Sequence, residues 1–173
     1  MKSDHLIAVY DTHEDAANAV SILTNKRITE REDISVLGKG NEGEPKDSLQ
    51  IDKENKDLLQ WGKEGAIWGG IGGFLTGLFF LWIPGFGPIL AAGPIISSLA
   101  GALGGAATVG SVAALTGWFI DLGIEASDAH RYTNLIDDGK LLVLIHGNKE
   151  TLQKAQEALK TLNKGKIEVH SKA

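Results

Sequence analysis

The segment Ala66–Ile120 occupies the middle of the chain and reads AIWGGIGGFLTGLFFLWIPGFGPILAAGPIISSLAGALGGAATVGSVAALTGWFI. It contains no Lys, Arg, Asp or Glu, although the 173-residue chain has 17 basic and 22 acidic residues. An exposed apolar patch of this size is not tolerated by a soluble monomer. The sequence therefore predicts that this neutral segment is buried in lipid or against other protein.

Proline and glycine in the IPGFGP stretch predict a turn with one helix on either side. We expect the first helix from Leu59 to Trp82 and the second from Ile95 to Leu122. The apolar part of the first helix, Gly65–Ile83, would be about 28 Å long, close to the ~30 Å hydrocarbon core of a bilayer. Residues 59–123 are therefore predicted to form a helical hairpin. Its predicted turn residues are Pro84, Gly85, Gly87, Pro88 and Pro94.

Glycines recur at intervals of four residues in the neutral segment, which places small residues on one stripe of each predicted helix. Such stripes let two helix backbones approach closely. Each interior glycine costs a helix about 1 kcal/mol relative to alanine, so the stripes require a packing partner. The predicted helix-packing residues are Gly65, Gly69, Gly73, Gly77, Gly101, Gly105 and Gly117.

The flanks of the chain each predict a β-α-β unit. A strand is expected at His5–Tyr10, a helix in DTHEDAANAVSILTNKR and a strand at Asp33–Gly40. The second unit has a strand at Lys140–Gly147, a helix capped by Asn148 and a strand at Lys166–Ser171. Gly165 is expected to cap the end of that helix.

A further amphipathic helix, EASDAHRYTNLIDDG, is expected before the second unit, with Ala129, Tyr132 and Ile136 facing inward. Two β-α-β halves of this length predict an α+β fold with a ferredoxin-like split β-α-β domain, interrupted by the apolar helical hairpin. The domain comprises residues 1–40 and 124–173, and residues 41–58 are predicted to be a polar linker.

Composition excludes several function classes. The net charge of −5 and the lack of a basic stripe argue against nucleic-acid binding, and the absence of cysteine excludes disulfides and thiolate chemistry. His5, His146 and His170 are expected near the ends of strands, where ordinary solvated positions are favoured over a metal site. No acid, base, nucleophile or metal set is visible, so the sequence predicts neither an enzyme nor a cofactor.

The stretch IPGFGPILAAGP, the later GIEASDAHRYTNLIDDGKLLVLIH and the opening HLIAVYDTHEDAANAVSIL resemble the bacterial heat-induced and general-stress-protein-like family. The resemblance covers nearly the whole chain, and residues 84–94 are its most specific part. The chain departs from the family pattern after Gly123, where IEASDAHRY replaces a commoner IPE-x-x-A-x-x-Y. The resemblance implies a link to stress responses and no catalytic residues.

Three functions are compatible with the sequence. The first is a non-enzymatic stress-linked protein whose hairpin associates with the cytoplasmic membrane and self-assembles, with both termini and the α/β interaction domain in the cytoplasm. The second is a cytoplasmic homo-oligomer or filament that assembles through the hairpin without lipid. The third is a binder of an apolar small ligand between hairpin and sheet. The expected partners are membrane lipid, copies of the chain or both.

Overall fold

The computed structural model describes residues 4–30, 33–39, 78–83, 87–93 and 111–170. These residues form a mixed α/β fold with an antiparallel sheet and four helices. In chain order the elements are β1 (Asp4–Tyr10), α1 (His13–Asn25), β2 (Ile34–Lys39), β3 (Leu78–Ile83), β4 (Gly87–Ala92), α2 (Ser111–Asp121), α3 (Ala126–Asp137), β5 (Leu141–Gly147), α4 (Lys149–Lys160) and β6 (Lys166–His170).

The strands lie in the order β3-β4-β2-β5-β1-β6, and every neighbouring pair is antiparallel. Strands β2, β5, β1 and β6 form a four-stranded centre, which the β3–β4 pair extends on one side. Strand β5 lies between β1 and β2, so the two strands of the β1-α1-β2 unit run parallel without touching. The second unit, β5-α4-β6, places β6 beside β1 in the same way.

Both faces of strands β1, β2 and β5 are buried. On one face, alternate residues of β1, β2 and β5 pack against α1 and α4 around Leu6, Val143 and Leu159. On the other face, the intervening residues pack against α2 and α3 around Ile7, Leu144 and Phe119. The near-continuous apolar run of β5 follows from this arrangement, because a strand covered on both sides has no polar face.

Local sequence signals explain the ends of the helices. The side chain of Thr12 accepts a hydrogen bond from the Asp15 amide at 3.1 Å, and that of Asn148 accepts one from the Thr151 amide at 2.9 Å. Both satisfy an amide that the first helical turn leaves without a partner. The predicted cap at Gly165 is wrong, because α4 ends at Lys160 with Thr161 as its C-cap.

The predicted helical hairpin is wrong where the structure describes its centre. Residues Leu78–Trp82, predicted as the end of the first helix, belong to β3 (Leu78–Ile83), and Ile83 pairs with Gly87 at the start of β4. Two of the predicted turn residues, Gly87 and Pro88, therefore belong to a strand. The predicted turn residues Pro84, Gly85 and Pro94 lie outside the described residues. The second predicted helix is present over Ser111–Asp121.

This error arises because a short apolar run is compatible with both a buried helix and a buried strand, and its periodicity does not distinguish them. The aromatic residues in LFFLWI favour a strand, but the run has no period-2 polar positions to reveal it. Pro88 is compatible with β4 because pairing with β2 begins only at Ile89. Gly93 then allows close approach: it has φ of +109°, and a Cβ there would lie 2.4 Å from the Ile34 carbonyl oxygen.

Among the described helices, none is both long enough and apolar enough to span a membrane. The predicted helix-packing residues Gly65, Gly69, Gly73, Gly77, Gly101 and Gly105 lie outside the described part of the chain.

Candidate functional site

A polar cluster joins α3 to the edge strand β6. Asp128, Arg131 and Tyr132 lie at positions i, i+3 and i+4 of α3 and therefore share one side of that helix. Glu168 and His170 are two residues apart on β6, so both point to the face that α3 covers. We call these five residues the α3–β6 cluster.

Hydrogen bonds converge on Glu168. The Tyr132 hydroxyl donates to Glu168 Oε2 at 2.5 Å, and the Arg131 guanidinium donates to the same oxygen. Lys166 lies 2.9 Å from the other carboxylate oxygen. Arg131 also donates to Asp128 Oδ1 at 2.6 Å, and its guanidinium carbon lies 4.7 Å from the centre of the Tyr132 ring.

These contacts fix the charge of Glu168. Burial opposes ionisation of this carboxyl, but the hydrogen bonds from Arg131, Tyr132 and Lys166 outweigh burial and lower the pKa to about 2. Burial first, and then the bond to Glu168, raise the pKa of Tyr132. The bonds to Glu168 and Asp128 raise the pKa of Arg131. The cluster therefore holds an ionised Glu168 and a protonated Tyr132 at neutral pH.

The proton positions follow from that charge state. The Tyr132 oxygen lies 2.6 Å from His170 Nε2 as well as 2.5 Å from Glu168. An ionised carboxylate can only accept, so the phenol proton goes to Glu168 and His170 Nε2 must donate to the phenol oxygen. Burial lowers the pKa of His170, despite the nearby Asp128 and Glu168, and this favours the neutral ring with its proton on Nε2. His170 Nδ1 then faces Asp128 Oδ2 at 3.8 Å.

The three histidines expected near strand ends do come together. His5 pairs with His146 on β5 and with His170 on β6, and the His5 and His146 ring centres are 5.1 Å apart. His5 is buried, in contrast to the predicted solvated position. No group of three or more His, Asp or Glu side chains with metal-binding geometry exists among the described residues.

The cluster acts as a clamp between a helix and an edge strand. Its acid is held ionised by three donors, and its phenol is held protonated, so neither group exchanges a proton near neutral pH. Sequence reasoning placed Tyr132 inward correctly but missed its bond to Glu168. Two sequence signals were available: the i, i+3, i+4 spacing on α3 and the alternation of Glu168 and His170 on β6. Neither signal shows that the two groups of side chains meet, because their contact depends on how α3 packs on β6.

A second candidate surface is the side of α2 that faces away from the sheet. Leu115, Trp118 and Phe119 are buried on the inner side of this helix, while Val112 is 44% exposed and Ile120 is 45% exposed. Ala113 is exposed, and a Cβ added at Gly117 would meet nothing within 4 Å. We call Val112, Ala113, Gly117 and Ile120 the α2 outer face. These four residues are apolar, and the exposed Asp121 follows one helical turn after Gly117 at the end of α2.

The inner side of α2 is held firmly. The Thr116 and Thr133 hydroxyls lie 3.1 Å apart and are both buried, which links α2 to α3. Phe119 contacts the Tyr132 ring, with their centres 5.7 Å apart. The α2 outer face is therefore presented in a fixed orientation by the same residues that hold the clamp.

No family model matches the chain, and neither the curated proteins nor the solved structures provide a match.

Proposed function

We propose that this protein is a non-enzymatic, self-assembling protein, in which the neutral segment makes the contact between copies and touches membrane lipid at the cytoplasmic face. The α/β domain serves as the cytoplasmic interaction module that presents this segment. The observation that carries the proposal is the α2 outer face, where Val112 and Ile120 are exposed at the end of a sequence with no charged residue.

The exposure of these side chains has an energetic cost in water. Covering a large aliphatic side chain contributes about 1.5–3 kcal/mol, so burying Val112 and Ile120 favours association. Gly117 and Ala113 leave room for the backbone of a partner helix to approach the same surface. Each of these features favours a helix partner over an open solvated face.

Strand β3 favours contact between copies over a membrane-spanning hairpin. Because Leu78–Ile83 form a strand, the predicted first helix would lose its last residues, and its apolar part would shorten from about 28 Å to about 20 Å. A bilayer core is about 30 Å thick. Lipid contact is therefore proposed at the membrane surface, as the second partner.

We interpret the domain as a ferredoxin-like split β-α-β fold that is interrupted between β2 and β5. The support is the central strand order β2-β5-β1-β6 and the two β-α-β units that contribute to it. The stress link is proposed on the family resemblance alone. Heat-shocking the native cells and following the protein by immunoblot tests that link, which fails if the amount stays constant.

Fractionation and particle size test the proposed assembly. Full-length protein from lysed cells is expected as a multimer of defined size in detergent-free buffer, and added liposomes are expected to recruit part of it. A monomer without detergent that never binds liposomes would refute the proposal. Protein extracted only by detergent would instead support the spanning hairpin.

A further inference from the structure

The two edge strands of the sheet differ in charge and polarity. Strand β6 forms one edge and alternates charged or polar residues with apolar ones, as KIEVH. Its Glu168 is engaged by α3 through the clamp. Strand β3 forms the other edge and reads LFFLWI, six apolar residues without a charge or a proline.

Natural sheets protect exposed edges with lysine, inward charges, proline or bulges, because an edge strand offers unpaired N–H and C=O groups to other chains. Strand β6 has such charges and β3 has none. Within the described residues, β3 pairs only with β4. An edge with this sequence and this position is suited to pairing with a further strand.

We propose that β3 pairs antiparallel with β3 of a second copy of this chain, so that the two sheets join edge to edge across a two-fold axis. The occupant is a second copy because an uncharged strand meets itself without like-charge repulsion. By contrast, antiparallel pairing of β6 with itself would bring two negatively charged Glu168 side chains towards one another. The contact is an isologous one and closes at two copies.

The chain's own preceding segment is a weaker occupant of this edge. Residues 66–77 contain five glycines in twelve positions, and glycine is depleted in strands because it packs poorly and loses entropy. The residues before them, 41–58, include charged side chains at many positions, which do not suit an apolar edge.

The inference rests on the proposed self-association but assigns it a second contact, separate from the α2 outer face. Two contacts of different kinds on one chain allow assembly to extend beyond a dimer. Each contact can be removed without removing the other, so their tests are independent.

Cysteine scanning tests the β3 contact directly, since the chain has no native cysteine. Single variants Phe79→Cys, Phe80→Cys, Leu81→Cys and Trp82→Cys are oxidised and resolved on non-reducing gels. Under a two-fold axis perpendicular to the sheet, one residue of β3 lies opposite its own copy, with Cβ atoms about 4.5–5.5 Å apart. A disulfide needs a Cβ separation of about 3.5–4.5 Å, within reach of a small adjustment.

The expected result is a disulfide-linked dimer with one sharp maximum along β3, at least tenfold above the matched control Val169→Cys on the opposite edge. Val169 is 44% exposed, so the control thiol is accessible. Equal yields at all β3 positions, or no yield above the control, would overturn the inference.

Two additional measurements keep this test decisive. If a cysteine variant fails to fold, hydrogen exchange of the wild-type β3 amides tests the pairing instead. These amides are expected to gain protection from exchange as the protein concentration rises. Protection that stays constant with concentration would contradict the pairing. Repeating the scan with Ile120→Glu separates the two contacts. A β3 maximum that survives this substitution supports edge pairing even if assembly through α2 fails.

Discussion

The Tyr132 hydroxyl donates a 2.5 Å hydrogen bond to Glu168, and this bond ties helix α3 to the edge strand β6. Helix α3 in turn holds α2 through the buried Thr116–Thr133 pair. The α2 outer face is therefore positioned by a chain of specific contacts that begins at the opposite edge of the sheet from β3. Disturbing the clamp should affect both stability and assembly.

Removing the Tyr132 hydroxyl tests the clamp with little change in shape. Tyr132→Phe is expected to lower the free energy of unfolding by about 1–3 kcal/mol, because Glu168 and His170 each lose a hydrogen-bond partner in a largely buried site. Urea unfolding measures the change. Lys154→Ala, which breaks an exposed pair with Glu150, is the control and should cost about 0–1 kcal/mol. Equal effects of the two substitutions would contradict the clamp.

The pH dependence of stability follows from the lowered pKa of Glu168. The folded pKa is about 2 and the ordinary value is 4.5, so the unfolded chain takes up the proton first as the pH falls. The stabilisation by Glu168 is thus fully present above pH 4.5 and is lost as the pH falls towards 2. Urea unfolding of wild type and Glu168→Gln should show a large difference at pH 7 that shrinks below pH 4.5. A difference independent of pH would be inconsistent with an ionised Glu168 in the clamp.

Two glycine substitutions should have opposite signs. Gly165 has φ of +80°, and a Cβ there would lie 2.7 Å from the Tyr10 ring, so Gly165→Ala is expected to destabilise the fold by more than 1 kcal/mol. Gly117 lies in α2 with open space around it, so Gly117→Ala should stabilise the helix by up to about 1 kcal/mol. Thermal unfolding of dilute protein compares them. Destabilisation by Gly117→Ala would show that its missing side chain makes room for a contact.

Most of the central fold was predictable because local signals and packing agreed. The strands at His5–Tyr10 and Lys140–Gly147, the Asn148 cap and the inward residues of α3 are all confirmed. Each of these elements carries a hydrophobic period, a helix cap or a flanking turn, and these local signals all predict the same structure. The run LFFLWI has no such signal, and its state is decided by pairing with β4, which sequence periodicity does not encode.

The candidate sites were less predictable for a related reason. The spacing within α3 and within β6 was visible in the sequence, but the bond between Tyr132 and Glu168 joins residues 36 positions apart. Such a contact depends on strand register and helix orientation together. The α2 outer face was expected as part of the neutral segment, but the exposure of Ile120 depends on which side of α2 packs on the sheet.

Self-assembly through the α2 outer face can be measured as the size of the protein in detergent-free buffer. Analytical ultracentrifugation compares wild type with Ile120→Glu and with the control Gln153→Glu. Both variants add one negative charge, the first on the α2 outer face and the second on the exposed side of α4. Wild type and the control are expected to sediment as the same multimer. Ile120→Glu is expected to shift to smaller species, with its dissociation constant raised at least tenfold. Unchanged sedimentation of Ile120→Glu, with the fold intact, would contradict assembly through α2.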